Sequence, residues 1–401
     1  MRKILAVAVA LLGVMTVFAN DSTAVSHRLE FSLRGAYVLP SNHLVRGDNF
    51  YGKRTRSAFG GAVEYSFSFS PGSREGRYYP YAYQGVGVGA TGFCSSKITG
   101  NPVNIYVLQG SRIASLSRRL TLDYEWNFGV SAGWKKNGVA EPYDYEEITG
   151  FGSHLNAYID LGFKLDYAFD EHFSVVGGVN LSHFSNGNTD YPNLGVNVLW
   201  GKLGLVWKPG TQPAMKRPDW SDYNPHISYD VTAYGAWRKN FFDSNYGNDV
   251  EGVDYEPDMH VIPGHFGVFG ANVNPLWHFN PMFAAGASLD FQYDEGANLS
   301  RYYSDQSSPD DPRFYRPPFS HRMMIGLSAR VELQMPIFSV NVGVGHSICA
   351  PGGPAMRGWY QTFTLKTFIT KNIFLSTGYR LERFRNPGNL MLGVGYRLNA
   401  R

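Results

Sequence analysis

The stretch Leu181–Asn197, LSHFSNGNTDYPNLGVN, sets His183 and Ser185 two residues apart, followed by Asn186 and, beyond a polar segment, by Asn193 and Asn197. A serine becomes a nucleophile when a neighbouring base takes its proton, and histidine is the commonest such base. A carboxamide N–H can hold the oxyanion that forms on the acyl carbon. These residue types could therefore carry out acyl transfer. The competing reading is a polar turn between two strands, for which Asn-Gly-Asn is well suited. The choice depends on where the side chains point, and so on the elements that carry them.

Those elements read as strands. Leu120, Leu122, Tyr124, Trp126, Phe128, Val130, Ala132 and Trp134 are apolar, and Thr121, Asp123, Glu125, Asn127, Gly129, Ser131 and Gly133 alternate with them. A period of two over fifteen residues is a long strand with one apolar and one polar face. The same alternation runs through Leu29, Phe31, Leu33 and Tyr37 and through Ile159, Leu161, Phe163, Leu165, Tyr167 and Phe169. Aromatics at 15% and 45 glycines suit β structure with many turns. Strands are expected near 28–38, 58–70, 81–93, 103–114, 119–134, 155–169, 172–185 and 194–207. They exceed the usual ~5–6 residues of soluble strands. Very short links (SLS, DE) alternate with long polar ones, the pattern of a transmembrane antiparallel β-barrel. Eight strands make a narrow barrel filled by its own side chains, here Glu30, Arg34, Asp123, Glu125, Asp160, Lys164 and Asp166.

The second half repeats the pattern at a spacing near 200: RGAYV (34–38) with YGAWR (234–238), YIDLGFK (158–164) with YQTFTLK (360–366), LSHFSN (181–186) with LERFRN (381–386). Eight more strands are expected near 226–238, 263–279, 281–293, 321–333, 336–347, 358–369, 372–384 and 389–400. The proline-containing segment 208–225 is too long for a turn within one barrel, which favours two tandem barrels over one of sixteen strands. Residues 1–19 have the positive start, short apolar run and small-residue end of a signal peptide. The expected division is 1–19 signal peptide, 20–208 first barrel, 209–225 linker and 226–401 second, degenerate barrel.

On strand seven, His183 and Ser185 share odd parity with Phe173, Val175, Val179 and Leu181, and on strand eight Asn193 and Asn197 share it with Leu199, Leu203, Leu205 and Trp207. All four polar residues therefore fall on the lipid side, near the end of the wall that an outward-running strand seven brings to the outer surface. Polar groups facing lipid are costly and call for a reason.

His-x-Ser-Asn at this place, with an Asn ten residues after the His, resembles the outer-membrane lipid A 3-O-deacylase (PagL) family over residues 27–208. The resemblance implies an eight-stranded barrel whose triad faces the membrane and cuts the ester-linked 3-O acyl chain of lipid A, without a cofactor. It assigns Ser185 as nucleophile, His183 as general base and Asn193 as oxyanion donor, with Asn186 supporting the site. The family's triad Glu is replaced here by Asn197, which can orient the imidazole but not neutralise it; Asp190 is the nearby acid that could substitute. The second half has Arg383 and Arg385 at the positions of His183 and Ser185, so it cannot run the same chemistry; the two arginines read as snorkelling to the headgroup layer, with contact to lipid phosphates as the alternative.

The net charge of +3 neither suggests nor excludes an anionic partner. Zinc-ligand spacing, a phosphate loop and nucleic-acid character are absent from the sequence. The acidic segments YDYEE (143–147) and SDQSSPDDP (304–312) read as solvated loops, and Cys94 and Cys349 do not make a disulfide framework. The expected partner is lipopolysaccharide in the bacterial outer membrane. The competing classes are a non-enzymatic barrel that binds lipopolysaccharide or serves a structural or adhesive role, and a porin, which requires the halves to fuse.

Overall fold

The computed structural model describes residues 25–137, 148–210, 216–243, 259–262, 264–302, 304, 313–384 and 386–399. The expected signal peptide, the 143–147 segment, most of 304–312 and Arg385 lie outside the described residues.

Eight antiparallel strands close the first barrel: β1 (Ser26–Val38), β2 (Ser57–Ser68), β3 (Ala82–Phe93), β4 (Gly100–Ser115), β5 (Leu120–Trp134), β6 (Leu155–Ala168), β7 (Phe173–Ser185) and β8 (Val196–Trp207). β8 pairs back onto β1 from Leu29↔Trp207 to Val38↔Val198, so no edge is left unpaired. The second barrel comprises β9 (His226–Arg238), β12 (Phe266–His278), β13 (Phe283–Asp294), β14 (Met323–Gln334), β15 (Phe338–Cys349), β16 (Trp359–Phe368), β17 (Ile373–Glu382) and β18 (Asn386–Leu398), closed through β18 and β9. A small hairpin, β10 (Phe241–Asp243) with β11 (Met259–Val261), lies in its first long link and was not expected. The chain thus forms two closed barrels, not one of sixteen strands.

In each barrel, the end where the first strand begins carries tight turns and is the turn end; the other is the loop end. Four tight turns use one device. The side-chain oxygen of Ser117, Asp170, Asn280 or Thr370 accepts the backbone N–H groups two and three residues on, at 2.7–3.2 Å.

The walls turn large apolar side chains outward. Leu33 is 76% exposed, Phe59 68% and Leu203 65%, a surface that lipid covers and water would not tolerate. These are transmembrane walls; among the described residues no helix is long and apolar enough to cross a membrane.

The inward faces are polar and paired. Lys202 Nζ lies 2.5 Å from Glu30, 3.1 Å from Glu64 and 3.3 Å from Glu125; Lys164 reaches Glu30 at 3.1 Å and Glu125 at 2.5 Å, and Arg34 reaches Glu64 at 2.8 Å. Glu30, Arg34, Asp123, Glu125, Asp160, Lys164 and Asp166 are all buried, as their parity requires. Above this layer the loop end of the bore is plugged by Tyr106, Tyr158, Phe184, Trp134 and Trp200, packed with Leu44 and Val45 from the β1–β2 link and Ile148 and Phe151 from the β5–β6 link. A plugged bore is not a porin channel. The second barrel carries its own network, in which Asp230 meets Arg397 at 2.7 Å and Lys366 at 2.6 Å, while Glu332 meets Arg397 at 2.5 Å and also Lys366. Glu30, Lys164 and Lys202 occupy the first, sixth and eighth strands of their barrel, as do Asp230, Lys366 and Arg397 of theirs.

Part of the expected linker is pinned down. Asp222 accepts from Arg77 at 2.8 Å and from the Tyr78 hydroxyl at 2.9 Å, and Trp220 donates to the Tyr78 carbonyl at 3.1 Å, so 219–222 docks on the short helix Arg74–Tyr78 of the β2–β3 link.

Candidate active site

Register places the candidate residues. β7 and β8 pair Leu181↔Leu199, His183↔Asn197 and Phe184↔Val196, and continuing that register sets Gly195 across from Ser185. Behind the pair, the inward face of the same strands is tied together. Asp160 accepts from Ser182 at 2.6 Å, Asn180 at 2.8 Å and Asn127 at 3.1 Å, and Trp200 donates to Ser182 at 3.0 Å. The strand segment presenting His183 is thus fixed from the interior. His183, Ser185 and Asn197 face outward and are half-buried, while Ser182, Phe184, Val196 and Val198 fill the bore.

His183 Nδ1 and Asn197 Oδ1 are 2.7 Å apart. With the oxygen facing Nδ1, that nitrogen carries the proton and Nε2 keeps a lone pair, the tautomer a general base needs. The Cε1–Nε2 edge of the ring leans toward Gly195. A Cβ placed on Gly195 would lie 2.8 Å from His183 Cε1 and 3.5 Å from Nε2. Gly195 is therefore glycine because the imidazole occupies the space of its side chain. Its carbonyl is anchored by Asn42 Nδ2 at 2.6 Å and Ser41 Oγ at 3.2 Å, so the β1–β2 link holds the backbone against the ring. Sequence reasoning missed Gly195, Asn42 and Ser41; a glycine two residues before Asn197 was the available signal.

Ser185 ends β7, on the same face as His183, and its hydroxyl makes no hydrogen bond among the described residues. Nucleophile–base bonds in resting sites are often long and tighten when substrate binds. Asn193 lies in the link before β8, not on the strand to which its parity was assigned, and its carboxamide oxygen is buried without a hydrogen-bond partner among the described residues. Asn186 is buried just past β7 and does not present its side chain to lipid. Asp190 accepts from the Tyr191 backbone N–H at 2.9 Å.

In the second barrel β17 stops at Glu382, two residues short of the expected end. Arg383 and Phe384 take φ of +51° and +64°, a left-handed turn. Arg383 is therefore exposed on a turn, not on the strand expected near 372–384.

Glu30, Glu64 and Glu125 bring ligand oxygens within 4.8 Å of one another, as a metal site would, but the Lys202 ammonium already sits among them. Cys94 and Cys349 are free thiols.

Gly195→Ala is expected to lower any Ser185-dependent esterase rate by about 10²-fold, the cost of displacing a catalytic group by roughly 1 Å. Thermal unfolding should be unchanged, because the clash falls on a side chain at the outer wall. Equal rates for variant and wild type would show that the ring need not hold this position.

A search of curated proteins finds no match. Among solved structures, Neisserial surface protein A is 10% identical, with 46% of this chain and 99% of that chain covered and a TM-score of 0.31. The outer membrane enzyme PagL is 16% identical, with 44% and 98% covered and a TM-score of 0.30. The translocator domain of the autotransporter NalP from Neisseria meningitidis is 9% identical, with 97% and 94% covered and a TM-score of 0.20. Residues 227–400, the second barrel, match the family described as acyloxyacyl hydrolase, C-terminal domain.

Proposed function

We propose that the first barrel is an outer-membrane serine esterase that removes the ester-linked 3-O acyl chain of lipid A. The observation that carries this reading is His183, held at Nδ1 by Asn197 and sharing the outward face of β7 with Ser185, on a wall that faces lipid. An ester inside a membrane reaches such a site laterally, without entering the bore.

In this reading His183 Nε2 takes the Ser185 Oγ proton as Oγ attacks the acyl carbonyl. The Asn193 amide supports the oxyanion. Collapse breaks the bond to the sugar oxygen, which takes the proton from His183. Water, activated by the same imidazole, then frees the acyl chain from Ser185. The chemistry uses no cofactor. The match of the second barrel to an acyloxyacyl hydrolase domain supports the substrate class. A degenerate duplicate accounts for that barrel's lack of a His-x-Ser pair at 383–385.

The test is mass spectrometry of lipid A from a Gram-negative host expressing the protein or its Ser185→Ala variant, with both shown to be folded in the outer membrane. Wild type should remove one hydroxyacyl mass and the variant none. Unchanged lipid A in both would favour the non-catalytic, lipopolysaccharide-binding reading.

A further inference from the structure

The turn end of the first barrel, opposite the His183 end, holds a cavity of about 270 Å³. Six cationic side chains line it: Arg28, Arg112, Arg118, Arg119, Lys208 and Lys216. The acids facing it are Asp123, Asp166, Asp170 and Glu171. Asp166 is taken by Arg28 at 3.0 Å, and Asp170 caps the β6–β7 turn through the backbone N–H groups of His172 and Phe173, each at 2.7 Å. Among the described residues, none of Arg112, Arg118, Arg119, Lys208 and Lys216 has a carboxylate oxygen within 4.0 Å.

Rim arginines often reach toward lipid headgroups and line nothing. Two features separate this cluster from such a rim. Arg112 Nε is buried without a hydrogen-bond partner, and the guanidinium lies 5.5 Å from the centre of the Tyr81 ring. Lys208 is half-buried and cannot swing away at its base, because its backbone N–H and C=O bond the His172 carbonyl at 2.7 Å and imidazole at 3.0 Å. Burial, with Arg28 and Arg112 nearby, holds its ammonium below the usual lysine range despite Asp166 and Asp123. Partly buried positive charge without a direct partner is costly, and a bound anion removes that cost.

We propose that this cavity binds a phosphate-bearing anion, gripped by the Arg112 guanidinium and the Lys208 ammonium, with the exposed Arg119 at its rim. Guanidinium forks match phosphate oxygens pairwise, and a cavity of this size admits a phosphate or a phosphodiester headgroup. The anion comes either from free phosphate or from a phospholipid of the adjoining leaflet. The site is independent of the esterase reading.

The test uses the full chain. Inorganic phosphate is titrated by calorimetry into protein in neutral detergent. Separately, thermal unfolding is compared in nanodiscs of phosphatidylcholine with and without phosphatidylglycerol. Single-site phosphate binding assigns the free anion. Stabilisation by phosphatidylglycerol without phosphate binding assigns the headgroup. Either effect should fall at least tenfold in Arg112→Gln/Arg119→Gln and in Lys208→Met, and persist in Lys53→Gln/Lys97→Gln, which removes two exposed charges from the other mouth. Absence of both effects in wild type, or equal loss in the Lys53/Lys97 variant, overturns the proposal. Far-UV circular dichroism and heat-modifiable gel mobility establish that each variant is folded, and Lys208→Met stands alone if the double variant is not.

Discussion

Asn197→Asp is expected to raise the rate of the proposed deacylation by about 10²–10⁴-fold. The basis is the reverse change in a serine protease triad, where Asp→Asn costs about 10⁴. Asp has the reach of Asn, so the 2.7 Å contact with His183 Nδ1 can be kept. Two things change. A carboxylate cannot turn an N–H toward Nδ1, so the productive tautomer becomes obligatory, whereas a rotated Asn197 amide would donate to Nδ1 and leave the proton on Nε2. A carboxylate also stabilises the imidazolium formed as Ser185 loses its proton. The measurement is initial rate on purified lipid A in detergent, with Ser185→Ala in the same background as the blank. An unchanged rate would mean that proton transfer to His183 does not limit turnover, and a gain that survives Ser185→Ala would remove Ser185 as nucleophile.

That prediction depends on two residues whose shared outward face is legible in the sequence, while their direct pairing comes from the structure. His183 and Asn197 are fourteen residues apart, and only an uninterrupted β7 and β8 put them directly opposite on one face. The alternation located both strands to within about two residues, because lipid outside and a charged network inside leave no freedom in parity. The same logic failed at β17. The 381–386 similarity suggested a strand through Phe384, but Arg383 and Phe384 adopt left-handed backbone, a local choice that side-chain alternation does not encode. The plug was equally hidden. Leu44, Val45, Ile148 and Phe151 come from links with no periodicity, and their burial is set by the bore they fill. Gly195 belongs with them, since its need for glycine comes from the His183 ring on the neighbouring strand.

Lys202→Met is expected to destabilise the first barrel by about 3–5 kcal/mol, the cost of stranding buried charges. Lys202 was overlooked among the interior charges, although its even position on β8, between outward Gly201 and Leu203, marks it as inward. It is the hub of the network: its ammonium contacts Glu30, Glu64 and Glu125, and its side chain is 1% exposed. Methionine keeps most of the volume, so the loss is electrostatic rather than a cavity. Lys164 still serves Glu30 and Glu125, and Arg34 still serves Glu64, but the three carboxylates then converge without the one ammonium that contacts all of them. The remedy should be specific. Glu125→Gln added to Lys202→Met removes one of the facing charges and should recover part of the loss, whereas Glu125→Gln alone should destabilise. Urea unfolding from phosphatidylcholine vesicles, run as a double-mutant cycle, measures the coupling. Additive effects would mean that the three carboxylates do not depend on Lys202, and that the network fills the barrel without holding it.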